Sequence, residues 1–339
     1  MTFREVANAY LTWMEEVKGA KPSTLRNHHS LLAEPGQPYR RGQRMTEGRI
    51  MGVLGDRPAH AVTTREVEQL LAAIARTGVS PSTVNRARSV ISAVYSYGMR
   101  PSVFALEANP PKHADRRSEP DPLHLAFYSP EQVEALAQAM AAGAHRERAR
   151  MRLSPDEITA RAADDSQDAE IVRIAAFAGL RRGELVTLRW RDVDLPARKL
   201  TVRRSLSGER ELSSTKTRRS RDVPIPDQAE AAFSRLLHRE DFTSPDDYVF
   251  VNRYGRRLDP SALRRRYERA RNAAGLEPLR FHDLRHTYGS LLVAGGIDLV
   301  SVKAAMGHSR LSTTERYLHA LPAADQAERF TRAFAGREP

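Results

Sequence analysis

Residues 282–286, His-Asp-Leu-Arg-His, are the stretch from which this sequence is best interpreted. They open a segment, about residues 281–294, whose apolar spacing predicts a helix. His282 and Arg285 are three residues apart, so they share one face of that helix. A histidine or arginine on such a helix is commonly structural or solvated. The stretch by itself therefore suggests a site without defining one.

Two further segments lie upstream. Residues 178–185, Ala-Gly-Leu-Arg-Arg-Gly-Glu-Leu, place Arg181 at a break between two helices, where packing can hold it while its side chain points into a cleft. Residues 214–221 form a basic turn before a strand, and this turn carries Lys216 over what could be a groove. Taken singly, such residues also fit a surface charge and a solvated loop.

The fourth segment is Gly-His-Ser at 307–309, and Tyr317 follows His308 by nine residues. The order and spacing of the four segments resemble the phage integrase, or tyrosine recombinase, family. That family has an Arg in a Gly-Leu-Arg-x-x-Glu-Leu segment, a Lys in a β-hairpin, His-x-Leu-Arg-His, a Leu-Gly-His-like turn and then a Tyr. Met306 replaces the usual Leu of the turn, which is an apolar exchange. The motifs cover residues 179–317, and the helical N-terminal region resembles the family's core-binding domain.

The resemblance implies phosphodiester transfer. Arg181 and Arg285 would stabilise charge on the nonbridging oxygens through planar, bidentate guanidinium groups. Tyr317 would attack phosphorus, form a 3′-phosphotyrosyl bond and free a 5′-hydroxyl, so that rejoining needs no ATP. Lys216 is the expected general acid for the leaving oxygen, because an ammonium gives up a proton where a guanidinium does not.

The resemblance also assigns roles to two histidines. His282 would assist proton transfer at the nucleophile, and His308 would hydrogen-bond the phosphate. His286 lies on another helix face and is interpreted as structural. No acidic metal-binding cluster accompanies these residues, and neither a cofactor nor a metal is predicted. The predicted catalytic residues are Arg181, Lys216, His282, Arg285, His308 and Tyr317.

Two carboxylates stand close to the predicted catalytic residues in the sequence. Glu184 and Asp283 are interpreted as residues that orient the catalytic side chains, with a place on the helix surface as the alternative. One further lysine competes with Lys216 for the role of general acid. Lys199 precedes a strand and is the fallback.

The apolar periodicity predicts a mainly α-helical chain with a small antiparallel β-sheet. Residues 1–108 are predicted to form a small helical bundle, which the resemblance implies is a SAM-like core-binding domain that binds DNA. Residues 109–125, rich in proline and charge, are predicted to link it to an α+β catalytic domain at 126–339. Residues 143–168 fit either a helical insertion or a mobile loop. Three strands are predicted, at 188–193, 200–204 and 221–225.

The composition favours a nucleic-acid partner. The 339 residues carry 54 Lys and Arg against 42 Asp and Glu, a net charge of +12. Such a balance favours a polyanion, although a genomic bias towards arginine is an alternative. The chain has no cysteine, which excludes disulfides and thiolate chemistry. No apolar run reaches the roughly 20 residues of a membrane span, so a cytoplasmic, nucleoid-associated protein is expected. The candidate DNA contacts, which also fit a solvated surface, are Arg41, Arg44, Arg86, Arg88, Arg182, Arg218 and Arg264.

The function expected from the resemblance is site-specific recombination of double-stranded DNA by a homotetramer on synapsed sites. The loop at 34–48 and the stretch at 143–168 favour an integrase that integrates or excises a phage or other mobile element. An accessory DNA-bending or directionality factor would fit that role. The alternatives are a Xer-like resolvase of chromosome or plasmid dimers, a type IB-like topoisomerase and a non-catalytic DNA-binding regulator. Residues 318–334 would form a tail that docks on a neighbouring subunit.

Overall fold

The computed structural model of the chain describes residues 1–38, 45–119, 125–147, 152–207, 210–212 and 220–320. The chain divides into two compact units, Met1–Asp121 and Pro122–Pro339. Both are mainly helical, and all strands of the described part lie in the second unit. The predicted fold class, mainly α with a small antiparallel sheet, is therefore confirmed. No described helix combines the length and apolar character needed to cross a bilayer.

Short helices around one apolar core make up the first unit. Thr2 and Thr63 each start a helix with a capping box. The threonine hydroxyl accepts from a backbone N–H of the helix, and a glutamate carboxylate accepts from the threonine N–H. A π-helical turn, Trp13–Val17, follows the first helix. The helices are α1 (Phe3–Thr12), α2 (Pro22–Leu31), α3 (Met51–Leu54), α4 (Thr64–Arg76), α5 (Pro81–Gly98) and α6 (Pro110–His113).

The described start of the predicted linker packs on helix α5. The Asn85 side chain donates to the carbonyl of Arg117 and accepts from its N–H, each at 2.9 Å. Arg88 donates to the carbonyls of Ala114 and Lys112, at 2.7 and 2.9 Å. Polar side chains on the helix thus satisfy backbone groups of the proline-rich stretch. Residues 109–119 consequently belong to the first unit and do not form a free connection.

Two pieces of β-structure lie in the second unit. A three-stranded antiparallel sheet has the order β1 (Val193–Asp194), β2 (Lys199–Val202), β5 (Arg221–Pro224). The predicted first strand is much shorter than expected, because Trp190–Asp192 forms a 3₁₀ turn. An additional antiparallel hairpin was not predicted and consists of β3 (Ser205–Ser207) and β4 (Arg210–Leu212).

The main core of the second unit lies between its helices and the three-stranded sheet. Helix α8 (Pro155–Phe177) is 23 residues long and begins with a Ser154 capping box, so residues 155–168 of the undecided stretch are helical. Buried Asp168 on α8 is paired with Arg266 of α11. The helices are α7 (Pro130–Ala141), α8 (Pro155–Phe177), α9 (Arg182–Leu185), α10 (Asp227–Leu237), α11 (Pro260–Ala273), α12 (Asp283–Ala294), α13 (Leu299–Met306) and α14 (Ser312–Glu315), followed by a 3₁₀ turn, Leu318–Ala320.

A separate small core joins α12 and α13 to the segment after α14. Its buried members include Tyr288, Val302, Met306 and Tyr317. The ring of Tyr317 lies against Gly289, where a Cβ atom would come within 2.8 Å of it. Only glycine therefore leaves room for the ring at this depth. This core fixes the place of Tyr317 under helix α12.

Candidate active site

Two arginines from distant parts of the chain converge on one turn. Arg181, just before α9, donates from Nη2 to the carbonyl of Gly307 at 3.1 Å. Arg285, on α12, donates from Nη2 to the carbonyl of Met306 and from Nη1 to that of Gly179 at 2.5 Å. Main-chain acceptors thus fix both guanidinium groups in position.

The two guanidinium groups differ in their exposure to solvent. The Arg181 side chain is 32% exposed, whereas Arg285 is 3% exposed. Burial, and after it the positive charge of Arg181, lowers the pKa of Arg285 to about 9. Arg285 therefore remains charged at pH 7, and its guanidinium lies close to that of Arg181. Such a pair is suited to bind an anion whose oxygens carry the opposite charge.

Glu184 is a buried carboxylate that links the guanidinium group of Arg181 to that of Arg221. It is 3% exposed and accepts from Arg181 Nη1 at 2.8 Å and from both terminal nitrogens of Arg221, at 2.9 and 2.6 Å. Burial alone would raise the pKa of Glu184, but the hydrogen bonds and charge of Arg221, and then Arg181, lower it to about 2. The carboxylate is ionised at neutral pH. Its predicted orienting role stays a prediction that this geometry supports.

Arg221, at the end of the basic turn 214–221, is a further member of the site. Besides its bonds to Glu184, it donates from Nε to the carbonyl of Ala305 at 3.0 Å. The period of two along strand β5 places it on the same face as buried Val223. That alternation was the sequence signal that could have identified Arg221 as inward-facing.

His308 lies just after the turn that receives the two arginines. Gly307 has a left-handed φ of +61°, which ends α13 and turns the chain towards the site. The His308 Nδ1 atom lies 3.0 Å from the hydroxyl oxygen of Thr314. Its ring stacks on that of Tyr317, with centroids 6.3 Å apart. Burial, followed by the charges of Arg285 and Arg181, lowers the pKa of His308 to about 3, so this ring is neutral at pH 7.

Tyr317 is buried, with 1% of its surface exposed. Its hydroxyl oxygen lies 2.9 Å from Nδ1 of His286. Burial raises the pKa of the Tyr317 phenol, and the positive charge of Arg285 opposes this change. The phenol is therefore protonated at neutral pH and needs an acceptor for its proton before it can act as a nucleophile.

The two histidines of residues 282–286 differ in what they contact. His286, interpreted from sequence as structural, is the one hydrogen-bonded to the Tyr317 hydroxyl. His282 is exposed just before α12, and its ring packs edge-on against His286 with a centroid distance of 5.5 Å. Partial desolvation, and then the charge of Arg285, lowers the pKa of His282. Its role at the nucleophile stays a prediction.

Asp283 holds the start of α12 in place. Its carboxylate accepts from the Arg280 backbone N–H at 2.8 Å and from Nε and Nη2 of the Arg280 side chain, at 3.1 and 3.0 Å. Burial would raise the pKa of Asp283, but the Arg280 hydrogen bonds lower it overall. One carboxylate oxygen lies 4.0 Å from Nε2 of His286. This contact supports the predicted orienting role of Asp283.

The predicted DNA contacts and general acid have different outcomes. Arg88 uses its guanidinium within the first unit, as described above, which argues against a DNA contact. Arg86 and Arg264 are exposed, and Arg264 pairs with Glu268 one helical turn on. Arg182 is half-buried in α9.

The fallback general acid, Lys199, pairs with a carboxylate: its Nζ atom lies 3.8 Å from Oδ2 of Asp222. Outside the described residues lie Arg41, Arg44, Lys216 and Arg218, together with residues 321–334 of the predicted tail.

No three histidine, aspartate or glutamate side chains come together as a metal site would require within the described ranges. Among the described residues, the site consists of three arginines, two carboxylates, three histidines and one tyrosine. The chain belongs to the phage integrase, or tyrosine recombinase, family: the sequence model of the phage integrase family matches residues 127–323.

Individual relatives show different degrees of similarity. A protein described as the prophage phiRv2 integrase of Mycobacterium tuberculosis is 36% identical over 161 residues, which are 46% of this chain and 43% of that protein. The match thus spans less than half of that relative's length. The tyrosine recombinase XerC of Alcanivorax borkumensis is 25% identical over 323 residues, 93% of this chain and 89% of XerC.

A solved structure shares the fold. It is that of the Tn1549 transposon integrase in complex with a circular intermediate DNA. The match covers 98% of this chain and 99% of that one, with a TM-score of 0.71 and 18% sequence identity. At this identity the similarity shows the fold alone, and it extends over both units of the chain.

Proposed function

We propose that this protein is a site-specific DNA recombinase that cleaves and rejoins double-stranded DNA through a 3′-phosphotyrosyl intermediate. The observation that carries the proposal is the convergence of Arg181 and Arg285 on the carbonyls of Gly307 and Met306. This turn leads directly to His308, whose ring stacks on Tyr317. Two anchored cations, a neutral imidazole and a phenol are the groups that phosphodiester transfer to a tyrosine requires.

In the proposed reaction the two guanidinium groups bind the nonbridging oxygens of the scissile phosphate. Their charge balances the negative charge that grows in the transition state, and their anchors keep the reorganisation small. The Tyr317 oxygen bonds to phosphorus while the bond to the 5′-oxygen breaks, and Lys216 protonates that leaving oxygen. Since Tyr317 is 1% exposed, its hydroxyl oxygen must become accessible to the phosphate when DNA binds. Rejoining follows the same steps in reverse.

The nucleophile is tested with nicked suicide duplexes that carry the DNA flanking the gene. The protein should form a covalent adduct that survives a denaturing gel, and Tyr317→Phe should abolish it. Tyr254→Phe is a matched control, because this tyrosine lies in the same unit with 65% of its surface exposed. An adduct that persists in Tyr317→Phe, or no adduct from the unchanged protein, contradicts the proposal.

Within this class we propose a cytoplasmic integrase of a phage or other mobile element that acts as a homotetramer on two DNA sites, with an accessory DNA-bending or directionality factor. The similarity to a prophage integrase at 36% identity supports this role. The end-to-end alignment with a XerC protein supports dimer resolution as the second candidate. Two kinds of plasmid separate the integrase from the resolvase. One carries two copies of the same flanking site, and the other carries one site from the mobile element and one from its target DNA. Exchange between identical sites alone favours the resolvase.

Two other outcomes have their own signatures. Relaxation of supercoiled DNA that carries no particular site would indicate a type IB-like topoisomerase. Sequence-specific binding without an adduct would indicate a non-catalytic regulator. Both assays use the same purified full-length protein as the adduct experiment, so the results are directly comparable.

A further inference from the structure

His286 contacts the atom that would carry out the attack on DNA. Its Nδ1 atom lies 2.9 Å from the Tyr317 hydroxyl oxygen. The His286 side chain is 14% exposed and Tyr317 is 1% exposed, so water has little access to this contact. A phenol buried in this way needs a protein acceptor if it is to lose its proton. The acceptor in contact with the Tyr317 hydroxyl is the Nδ1 atom of His286.

In the tautomer with its ring hydrogen on Nε2, His286 accepts at Nδ1 the hydrogen bond that the protonated Tyr317 hydroxyl donates. Nε2 lies 4.0 Å from a carboxylate oxygen of Asp283. Arg280 fixes this carboxylate through three donated hydrogen bonds. Nucleophile, base and carboxylate thus follow one another as in the triads of other covalent enzymes.

The surroundings of His286 keep its ring neutral. Burial, and then the neighbouring His282, lowers the pKa of His286 to about 4. The charged and titratable groups that face it come from its own helix and from the C-terminal segments. They are His282, Asp283, Arg285, His308, Arg316 and Tyr317. A neutral imidazole at pH 7 has an open lone pair for the phenol proton.

We infer that His286 is a catalytic residue that accepts the Tyr317 proton, with Asp283 as its positioning residue. The inference rests on the proposed function. In the step, the O–H bond of Tyr317 breaks and its proton moves to Nδ1 of His286, while the phenol oxygen bonds to phosphorus. The bond from phosphorus to the 5′-oxygen breaks, and that oxygen takes a proton from the general acid, proposed to be Lys216. During rejoining His286 returns its proton to the tyrosine.

The position of His286 also suits the phosphate. Arg285, its neighbour in sequence, is one of the two anchored guanidinium groups. One helix therefore carries both the proton acceptor and a phosphate ligand, so the two keep their relative spacing when DNA opens the site. His282, at the exposed start of the same helix, contacts His286 edge-on. This difference in contacts assigns the acceptor role to His286.

The test is single-turnover adduct formation by the full-length protein on two nicked duplexes. One duplex has an ordinary scissile phosphate, and the other has sulfur in place of the bridging 5′-oxygen. Because a thiolate leaves without a proton, the sulfur duplex removes the need for a general acid. His286→Ala should slow the adduct on both duplexes by about 10²-fold or more, whereas the sulfur duplex should largely restore Lys216→Ala.

Two additional measurements separate proton transfer from a structural role. His286→Gln offers an amide in place of the ring without accepting a proton, so it should stay as slow as His286→Ala. Added imidazole should accelerate His286→Ala, and its rate should rise with pH as solvent takes over the proton. Thermal unfolding and DNA gel shifts, with His238→Gln as a control, establish that each variant is folded and binds DNA.

The outcomes are distinct. His286→Ala within about threefold of the unchanged protein, full activity of His286→Gln, or rescue of His286→Ala by the sulfur duplex overturns the inference and leaves the proposed function intact. If neither added imidazole nor a higher pH changes the rate of adduct formation by folded His286→Ala, the inference is likewise overturned. Failure of the unchanged protein to form any adduct overturns the proposed function itself, and this inference with it.

Discussion

Arg221 donates both terminal nitrogens of its guanidinium to the carboxylate of Glu184, at 2.9 and 2.6 Å. The same carboxylate receives Arg181, and Arg221 also reaches the carbonyl of Ala305. One residue of strand β5 thus joins the small sheet, the helix behind Arg181 and the end of α13. The relative positions of Arg181 and the end of α13 depend on this connection.

Removal of the Arg221 side chain should destabilise the second unit. Arg221→Ala leaves the buried carboxylate of Glu184 with Arg181 as its remaining cationic partner, and loss of a buried pair costs roughly 3 kcal/mol. Urea denaturation at pH 7, followed by circular dichroism, measures the change. Arg264→Ala removes an exposed pair and should have little effect. Equal midpoints for the two variants would contradict the expected role of Arg221.

Gly289 should not tolerate a side chain. In Gly289→Ala the new Cβ would lie within 2.8 Å of the Tyr317 ring and 2.9 Å of the Met306 sulfur. Such overpacking costs about 1–3 kcal/mol and displaces the tyrosine. We expect a lower midpoint in thermal denaturation together with slower adduct formation. Gly295→Ala, whose nearest neighbour is 3.3 Å away at the end of the same helix, should be milder.

Acid should destabilise the fold through His308 well before the carboxylates titrate. The pKa of His308 is about 3 in the fold, against about 6.5 for an unfolded histidine. Below pH 6.5 the unfolded chain therefore binds a proton that the folded chain does not, and stability falls as the pH drops towards 3. His308→Gln should lose less free energy of unfolding between pH 7 and 5 than the unchanged protein. His238→Gln, which replaces an exposed ring, is the control variant.

Arg86 and Arg88 on helix α5 should respond in opposite ways. If exposed Arg86 contacts a phosphate, Arg86→Ala lowers the salt dependence of DNA affinity by about one unit of slope. Arg88→Ala should leave that slope unchanged but speed backbone hydrogen exchange in residues 109–119, because Arg88 donates to Lys112 and Ala114. Binding isotherms at several salt concentrations and exchange mass spectrometry measure the two effects. The reverse pattern would mean that Arg88 faces the DNA.

The sequence predicted the helical class and the sheet because these follow from local periodicity. Strands β2 and β5 lie close to their predicted positions, since buried Leu200 and Val223 alternate with more exposed neighbours. The first strand was overestimated at Trp190, where the chain turns before it becomes extended. Helix α8 has an acidic, alanine-rich first half, so its apolar stripe was too weak to decide between helix and loop. Its Ser154 cap was the usable signal.

The site was harder to predict where long-range contacts decide the outcome. Arg181, Arg285, His308 and Tyr317 could be chosen because their spacing matches a family pattern, and the fold brings them together. No catalytic role was assigned to Arg221 or His286, because their partners, Glu184 and Tyr317, lie more than 30 residues away. The contacts that Arg88 makes within the first unit could not be predicted for a related reason. Its partners are backbone carbonyls, which carry no residue-specific signal in a sequence.

The carbonyl groups of Met306 and Gly307 hold both guanidinium groups in place, and they belong to the main chain. A scan that replaces side chains with alanine would therefore never remove them, and would credit the arginines with all of the effect. Replacement of a backbone amide by an ester weakens its carbonyl as an acceptor while keeping every side chain. Semisynthesis of the C-terminal segment would thus expose a layer of the active site that genetic substitution cannot address.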